Sequence, residues 1–173
     1  MTTPESVTQN TSIRDADTLL SIEPIVVQSE DDLQHVAEAA AKQPGARVIS
    51  VVDTTERLVG IIPVHVLVNE IFLKIVPEQF LGEILTYDRV LAYANHLGAR
   101  TAGDIMLAPV FVHLDDTVRD AFGRMHRAEL IGLPITDDAG RILGYVDQLE
   151  LLLVWARACG LGPLLGPRPA EEA

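Results

Sequence analysis

The chain has 173 residues, 48% hydrophobic and 5% aromatic, with a formal net charge of −12. That length suits one domain, or two small ones sharing a core. The acidity excludes a surface that tracks nucleic-acid phosphates or anionic lipid, which needs clustered Lys and Arg. Cys159 is the only cysteine, which excludes an intrachain disulfide and fits a reducing compartment.

The N-terminus is polar and threonine-rich, without the basic start and apolar core of a secretory signal. Residues 1–20 show no periodicity and are expected to be a flexible segment, with Leu19, Leu20 and Ile22 able to dock on the body. Ile25-Val26-Val27 reads as a strand. Ser29, followed three residues later by Asp32, is a helix-start signature. Leu33, Val36, Ala37 and Ala40 then share one helical face, and Pro44-Gly45 ends that helix. Val48–Val52 and Leu58–Ile62 are rich in β-branched residues and flank a polar Asp-Thr-Thr-Glu turn, which reads as a hairpin. The apolar stretch from Val59 to Val76 is interrupted by Pro63, His65, Asn69, Glu70 and Lys74. It reads as strand plus amphipathic helix rather than as the ~20 apolar residues of a membrane span. A soluble, cytoplasmic protein is expected.

Residues 69–100 carry apolar positions (Phe80, Leu81, Ile84, Val90, Leu91 and Leu97 among them) in short helical pieces, broken at Pro77 and ended at Gly98. Thr101 and Asp104 have capping-box spacing. Val110–Val112 reads as a strand and Asp115 or Asp116 as the cap of the next helix, whose buried face holds Val118, Ala121, Phe122 and Met125. Leu133–Thr136 and Ile142–Val146 form a second hairpin around Asp137-Asp138-Ala139-Gly140. Asp147 opens a helix from Leu149 to Cys159, stopped by Gly160. The tail from residue 159 is rich in Pro and Gly and is expected to be flexible.

The two halves repeat each other. Glu23-Pro-Ile-Val-Val and Ala108-Pro-Val-Phe-Val are 85 positions apart, and Arg57-Leu-Val-Gly60 and Arg141-Ile-Leu-Gly144 are 84 apart. Each copy reads strand, helix, strand, strand, helix. Such a unit buries its apolar faces against its twin and leaves a cleft between them, a usual place for small ligands. Other chemistry finds little support. His35, His65, His96, His113 and His126 have no metal-ligand spacing. Gly160-Leu-Gly-Pro-Leu-Leu-Gly166 follows a helix rather than a strand, and Pro163 removes an N–H, so it is no phosphate loop. Glu30-Asp31-Asp32 and Asp115-Asp116 read either as helix caps or as a site for Mg²⁺. No Ser-His-Asp or Cys-His arrangement is readable, and an enzyme is not expected.

The second copy resembles a cystathionine-β-synthase-type (CBS) domain through an ordered series of pieces. They are Thr101-Ala-Gly-Asp-Ile-Met106, Val110-Phe-Val, Asp116-Thr-Val-Arg-Asp-Ala121, Leu133-Pro-Ile-Thr-Asp137, Gly140-Arg-Ile-Leu-Gly144 and the helix from Asp147. The first copy matches more weakly in the same order, so the chain resembles a CBS pair, or Bateman module. The resemblance implies an α+β fold of two β-α-β-β-α units packed through their sheets. The expected division is a first repeat at 21–68, a helical insert at 69–100 and a second repeat at 101–158. It also implies a stand-alone regulatory module that binds an adenosine compound (AMP, ADP, ATP or S-adenosylmethionine) between the repeats and signals through an unidentified protein partner. The alternatives are a dimerisation module with vestigial pockets, or a Mg²⁺ sensor.

In nucleotide-binding relatives, the last strand leads into a Ser or Thr for phosphate and an Asp for the ribose. The matching residues of the second copy are Asp147 and Glu150. Asp147 puts negative charge where a phosphate would sit, which favours ligands with little phosphate charge. This pair also reads as a simple helix cap, worth about 1 kcal/mol. In the first copy the matching residues, Pro63 and Val66, can do neither job. Thr101, Val110, Leu133 and Pro134 match the region that encloses adenine in relatives, and also read as ordinary core. Leu149, Leu152, Leu153 and Ala156 share one helical face while Leu151, Val154 and Trp155 spill onto another. So wide a stripe predicts contacts on two sides, hence a homodimer built on the helices after each hairpin.

Overall fold

The computed structural model describes residues 8–17, 20–75 and 98–158. A short helix, α1 (Ile13–Asp17), leads into β1 (Ile25–Gln28), α2 (Leu33–Lys42), β2 (Val48–Val52), β3 (Leu58–Pro63) and α3 (Val64–Ile75). The second half repeats the order: α4 (Ala102–Ile105), β4 (Val112–His113), α5 (Val118–Ala128), β5 (Gly132–Thr136), β6 (Ile142–Asp147) and α6 (Gln148–Ala158). The fold is α+β, with two three-stranded sheets ordered β1-β2-β3 and β4-β5-β6. In each, the first pair is parallel and the hairpin antiparallel. α3 runs on to residue 75, across the boundary expected after residue 68. The helices expected over 78–97 and the tail from 159 lie outside the described residues.

Local chemistry sets the helix starts, and at two of them it differs from the sequence reading. The cap of α2 is Asp32, whose carboxylate accepts from His35 N at 2.8 Å, rather than Ser29. The cap of α5 is Thr117, in a reciprocal capping box with Asp120, rather than Asp115 or Asp116. Asp116 instead accepts from His113 N and pairs with Arg124 at 2.9 Å. The strand expected at 110–112 forms only at Val112–His113.

The central strands β2 and β5 are buried at all five positions, which explains why both read as continuous apolar runs rather than alternating ones. One core unites the repeats: Ile49, Val51, Ile61 and Ile62 from the first, Val112, Leu133, Ile135 and Val146 from the second. At the tips the hairpins touch, with Leu58 N donating to Gly140 O at 2.9 Å and Arg57 bridged to Arg141. Each tip is tied by an aspartate. Asp53 accepts from Thr55 and Arg57, and Asp137 from Ala139 and Arg141. Hydrogen bonds from Thr55 and from Arg141, respectively, hold these carboxyls below the usual aspartate range.

At the other end, Tyr145 reaches across from β6 and accepts from Arg47 N at 3.0 Å. Burial pushes its phenol up to about 12. Tyr145 lies where a Cβ on Gly132 would be, so position 132 has to be glycine for the ring to fit.

Residues 8–17, expected to carry no regular structure, dock on the second repeat. Ile13 N donates to Asp116 O, Arg14 N to Leu114 O, and Val118 N to Thr11 O. α4 does the same on the first repeat: Ala102 N donates to Asp31 O, Gly103 N to Ser29 O, and Leu33 N to Arg100 O. The acceptors and donors on the two repeats are 85 positions apart throughout. Each leader therefore crosses to the other repeat. The signal in the sequence is Ser12-x-x-Asp15, the same capping spacing as Thr101-x-x-Asp104, with Ser12 Oγ bonded to Asp15 at 2.8 Å.

The repeats differ at the hairpin turn. Gly140 has φ 81°, while the residue 84 positions earlier is Glu56 with φ 61°. A left-handed conformation costs a side-chain-bearing residue roughly 1 kcal/mol. Glu56→Gly is expected to stabilise the fold by about that amount, and Gly140→Ala to destabilise it, both read as shifts in urea midpoint at constant slope.

Candidate functional site

The strand β6 ends at Asp147, which is 7% exposed and turns the chain into α6. Its Oδ1 accepts from Leu149 N at 2.8 Å and Glu150 N at 3.4 Å, filling the positive end of the helix with the chain's own carboxylate. Burial raises the Asp147 carboxyl pKa, and the charge of Glu150 adds to the rise; the two backbone N–H groups and Arg47 oppose it. Glu150 does not fold back to close a capping box. Its Oε1 accepts from Ser21 N at 2.9 Å and from Ser21 Oγ at 2.6 Å, in the segment just before β1. Its Oε2 is buried and has no hydrogen-bond partner among the described residues.

Beside this junction lies a cleft of about 530 Å³ between the repeats. The first repeat contributes Ile22, Gly45 and Arg47; the second contributes Phe122, Ile131 and the start of α6, with Leu149 and Leu152 at the rim. The walls are largely apolar and the convergent polar groups are few, the usual make-up of a small-molecule site. A second cleft of about 380 Å³ holds Arg47, Pro63, His65, Asn69, Glu129 and Ile131, among others. A shift of 84 positions carries Arg47, Pro63 and Val68 of the smaller cleft onto Ile131, Asp147 and Leu152 of the larger. The clefts are thus related by the repeat, and both are bounded by Arg47 and Ile131. In the smaller one Pro63 stands where Asp147 stands in the larger, and the nearby carboxylate comes from Glu129, the left-handed C-cap of α5.

Of the residues singled out from sequence, Asp147 lines the larger cleft and Glu150 lies one helical step on, held by Ser21. The other four do not line it. Leu133 and Pro134 are buried within β5, Val110 packs partly buried against the core, and Thr101 caps α4 beside Asp32. Because the leaders cross, the start of α6 meets Ser21 and Ile22 from the first repeat instead. Ser21, Ile22, Arg47, Phe122 and Ile131 were therefore missed. The one available signal was that Ile22-Glu-Pro-Ile25 precedes β1 as Leu107-Ala-Pro-Val110 precedes β4.

Four of the five acidic residues read as possible Mg²⁺ ligands are engaged elsewhere. Asp31 accepts from Gln28 N, Asp32 caps α2, Asp115 pairs with Arg14 at 2.8 Å, and Asp116 pairs with Arg124. Among the described residues, no group of three or more His, Cys, Asp or Glu gathers as a metal site. Among them, too, no helix is long and apolar enough to cross a membrane.

Residues 102–156 match the family model of the CBS domain. A CBS domain-containing protein from Thermotoga maritima superposes with a TM-score of 0.66 at 25% identity, covering 94% of this chain and 100% of its own. The CBS domain pair of protein MJ0100, solved in complex with 5′-methylthioadenosine and S-adenosyl-L-methionine, gives 0.60 at 22% identity over 85% of this chain and 97% of its own. CBSX2 in complex with AMP gives 0.59 at 15% identity over 87% and 98%. A search of curated proteins finds no match.

The raised carboxyl of Asp147 has a sign that can be tested. Its neutral form suits the folded state, so its contribution is full below the unfolded pKa and is lost as pH rises through the folded one. Asp147→Asn keeps an acceptor for the helix N–H groups without the charge. Its stability relative to the native chain should therefore rise between pH 4 and pH 7, and Asp147→Ala, which also lacks the titrating group, should show the same rise set lower by about 1 kcal/mol of lost capping. Urea unfolding at the two pH values checks both; a native chain that gains on Asp147→Asn between pH 4 and pH 7 would show that the Leu149 and Glu150 N–H groups, with Arg47, outweigh burial.

Proposed function

We propose that this chain, with a CBS domain at residues 102–156 and the fold of a tandem CBS pair, is a regulatory module that binds an adenosine compound in the larger inter-repeat cleft. The observation that carries the reading is the pairing of an apolar 530 Å³ cleft with two carboxylates at the start of α6. Supporting it, structures of the same fold were solved with 5′-methylthioadenosine and S-adenosyl-L-methionine, and with AMP. The role is binding and signalling to a protein partner rather than catalysis.

Charge narrows the ligand. Asp147 already occupies the α6 N–H groups that would otherwise hold a phosphate, and Glu150 adds a second negative charge one turn into the helix. Adenosine, or a cationic sulfonium such as S-adenosylmethionine, fits this end of the cleft better than ATP. Thermal unfolding at fixed protein concentration against adenosine, S-adenosylmethionine, AMP, ADP, ATP and Mg²⁺ tests the reading. A ligand at one hundred times its dissociation constant stabilises by about 2.7 kcal/mol, a midpoint shift of roughly 5–10 °C for a chain of this size. No shift with any adenosine compound would overturn the reading in favour of an interaction module; a shift with Mg²⁺ alone would make the chain a cation sensor.

A homodimer is the second part of the proposal. Val68 and Phe72 on α3 and Leu149 and Leu152 on α6 are all exposed, Leu149 to 61%. Val68 and Leu152 are repeat-related, so the two helices offer corresponding apolar positions to a second copy. Sedimentation should give a dimer at micromolar concentration, and the double change Leu149→Glu with Leu152→Glu should give a folded monomer. A native chain that sediments as a monomer would remove this part.

A further inference from the structure

Glu150, just past the cleft residues Asp147, Gln148 and Leu149, carries a carboxylate that is already in use. Glu150 Oε1 takes two donors from one residue, the N–H and O–H of Ser21, at 2.9 and 2.6 Å. This is the pattern that a pair of vicinal ribose hydroxyls would present. Glu150 Oε2 is sealed from solvent and lacks a partner among the described residues, so neither oxygen is open to an incoming molecule. Ser21 itself is exposed, and the next residue, Ile22, is a wall of the larger cleft. The contact therefore ties the strand leading into β1 to the start of α6, 129 positions away, at the edge of the cleft.

We infer that Ser21 is a latch on Glu150, which a ligand carrying a vicinal diol must displace to bind. The inference rests on the reading of the larger cleft as an adenosine site. In the latched form a buried carboxylate oxygen goes without a donor, which disfavours that form. A diol offers donors to both oxygens and so replaces a half-satisfied carboxylate by a satisfied one. Exchange frees the Leu20–Pro24 segment from α6, so occupancy of the cleft is converted into a change in how one repeat's leader is held. Ligands without the diol leave the latch in place.

The test compares adenosine with 2′,3′-dideoxyadenosine on the full chain, by calorimetry, for the native protein and for Ser21→Ala. Ser21→Ala removes one of the two competing donors and should tighten adenosine about tenfold while leaving dideoxyadenosine unchanged. Adenosine affinity that is unchanged or weakened would overturn the latch, as would equal tightening of both ligands, since that would mean Ser21 obstructs rather than competes. Hydrogen exchange at the Ser21 amide examines the latch without any ligand: it should be protected in the native chain and lose protection in Glu150→Ala. An unprotected amide would overturn the latch while leaving the adenosine reading standing. Protection together with failure of both proteins to bind any adenosine compound would overturn the adenosine reading, and with it the exchange.

Discussion

The exchange of leaders between repeats is the constraint on which the rest of this structure depends. Each leader satisfies backbone groups at the first helix of the opposite repeat: Thr11, Ile13 and Arg14 at the start of α5, and Arg100, Ala102 and Gly103 at the start of α2. A helix start carries N–H groups with no partner of their own, and leaving them buried and unpaired is costly. Neither repeat can supply these partners from its own chain, because its leader lies on its twin. Ile13 and Ala16 on one side, Ala102 and Ile105 on the other, are buried in the common core. The repeats thus complete each other, and the clefts between them are fixed by the same crossing that closes the core.

That crossing also explains which parts of the molecule were readable from sequence. The hairpins were legible because β-branched runs on either side of Asp-Thr-Thr-Glu and Asp-Asp-Ala-Gly combine two local signals, and both turns form as read. The buried face of α5 at Val118, Ala121 and Met125 was legible from its spacing for the same reason. The helix α1 was not. Five residues are too few to show periodicity, and most of what stabilises them comes from residues about a hundred positions away. Arg14 with Asp115 is an example. The cleft suffered in the same way: Asp147 and Glu150 stood out through local spacing, but Ser21 and Arg47 reach them only through tertiary packing. Capping errors at Ser29 and at Asp115 or Asp116 were of another kind, since each lay within three residues of a second residue able to cap.

The differences between the repeats are concentrated around the clefts. The sheets correspond closely, with the same strand order and an irregularity at the same point of each hairpin, Val51/Val52 and Ile135/Thr136. Around the clefts, by contrast, Gly45 corresponds to Glu129, Arg47 to Ile131 and Pro63 to Asp147. Glu129 holds a left-handed C-cap usually taken by glycine, while no such conformation is adopted at Gly45. Glutamate at this position costs roughly 1 kcal/mol more than glycine would and places a carboxylate in the smaller cleft. The same substitutions that break the symmetry make one cleft acidic at its helix end and leave the other with Pro63.

The first repeat supplies an internal control for the two carboxylates. α3 begins directly after Pro63 and runs twelve residues to Ile75 without any acidic residue in its first turn. A helix at this point of the fold therefore forms without an acidic cap, its first N–H (Val64) donating to Arg47 O at 3.0 Å as Gln148 N donates to Ile131 O at 2.8 Å at the start of α6. α6 occupies the equivalent place and carries Asp147 and Glu150 instead. Both are drawn partly or fully out of water, their charges repel, and the environment raises the carboxyl of Asp147. Capping accounts for Asp147, at a position where a neutral serine or threonine would cap as well without the cost of burying charge. It does not account for Glu150, whose carboxylate leaves the helix for Ser21. The first repeat shows that a helix can start at this point without the pair; what the pair adds is two carboxylates at the edge of an apolar cleft, the feature on which the proposed adenosine site rests.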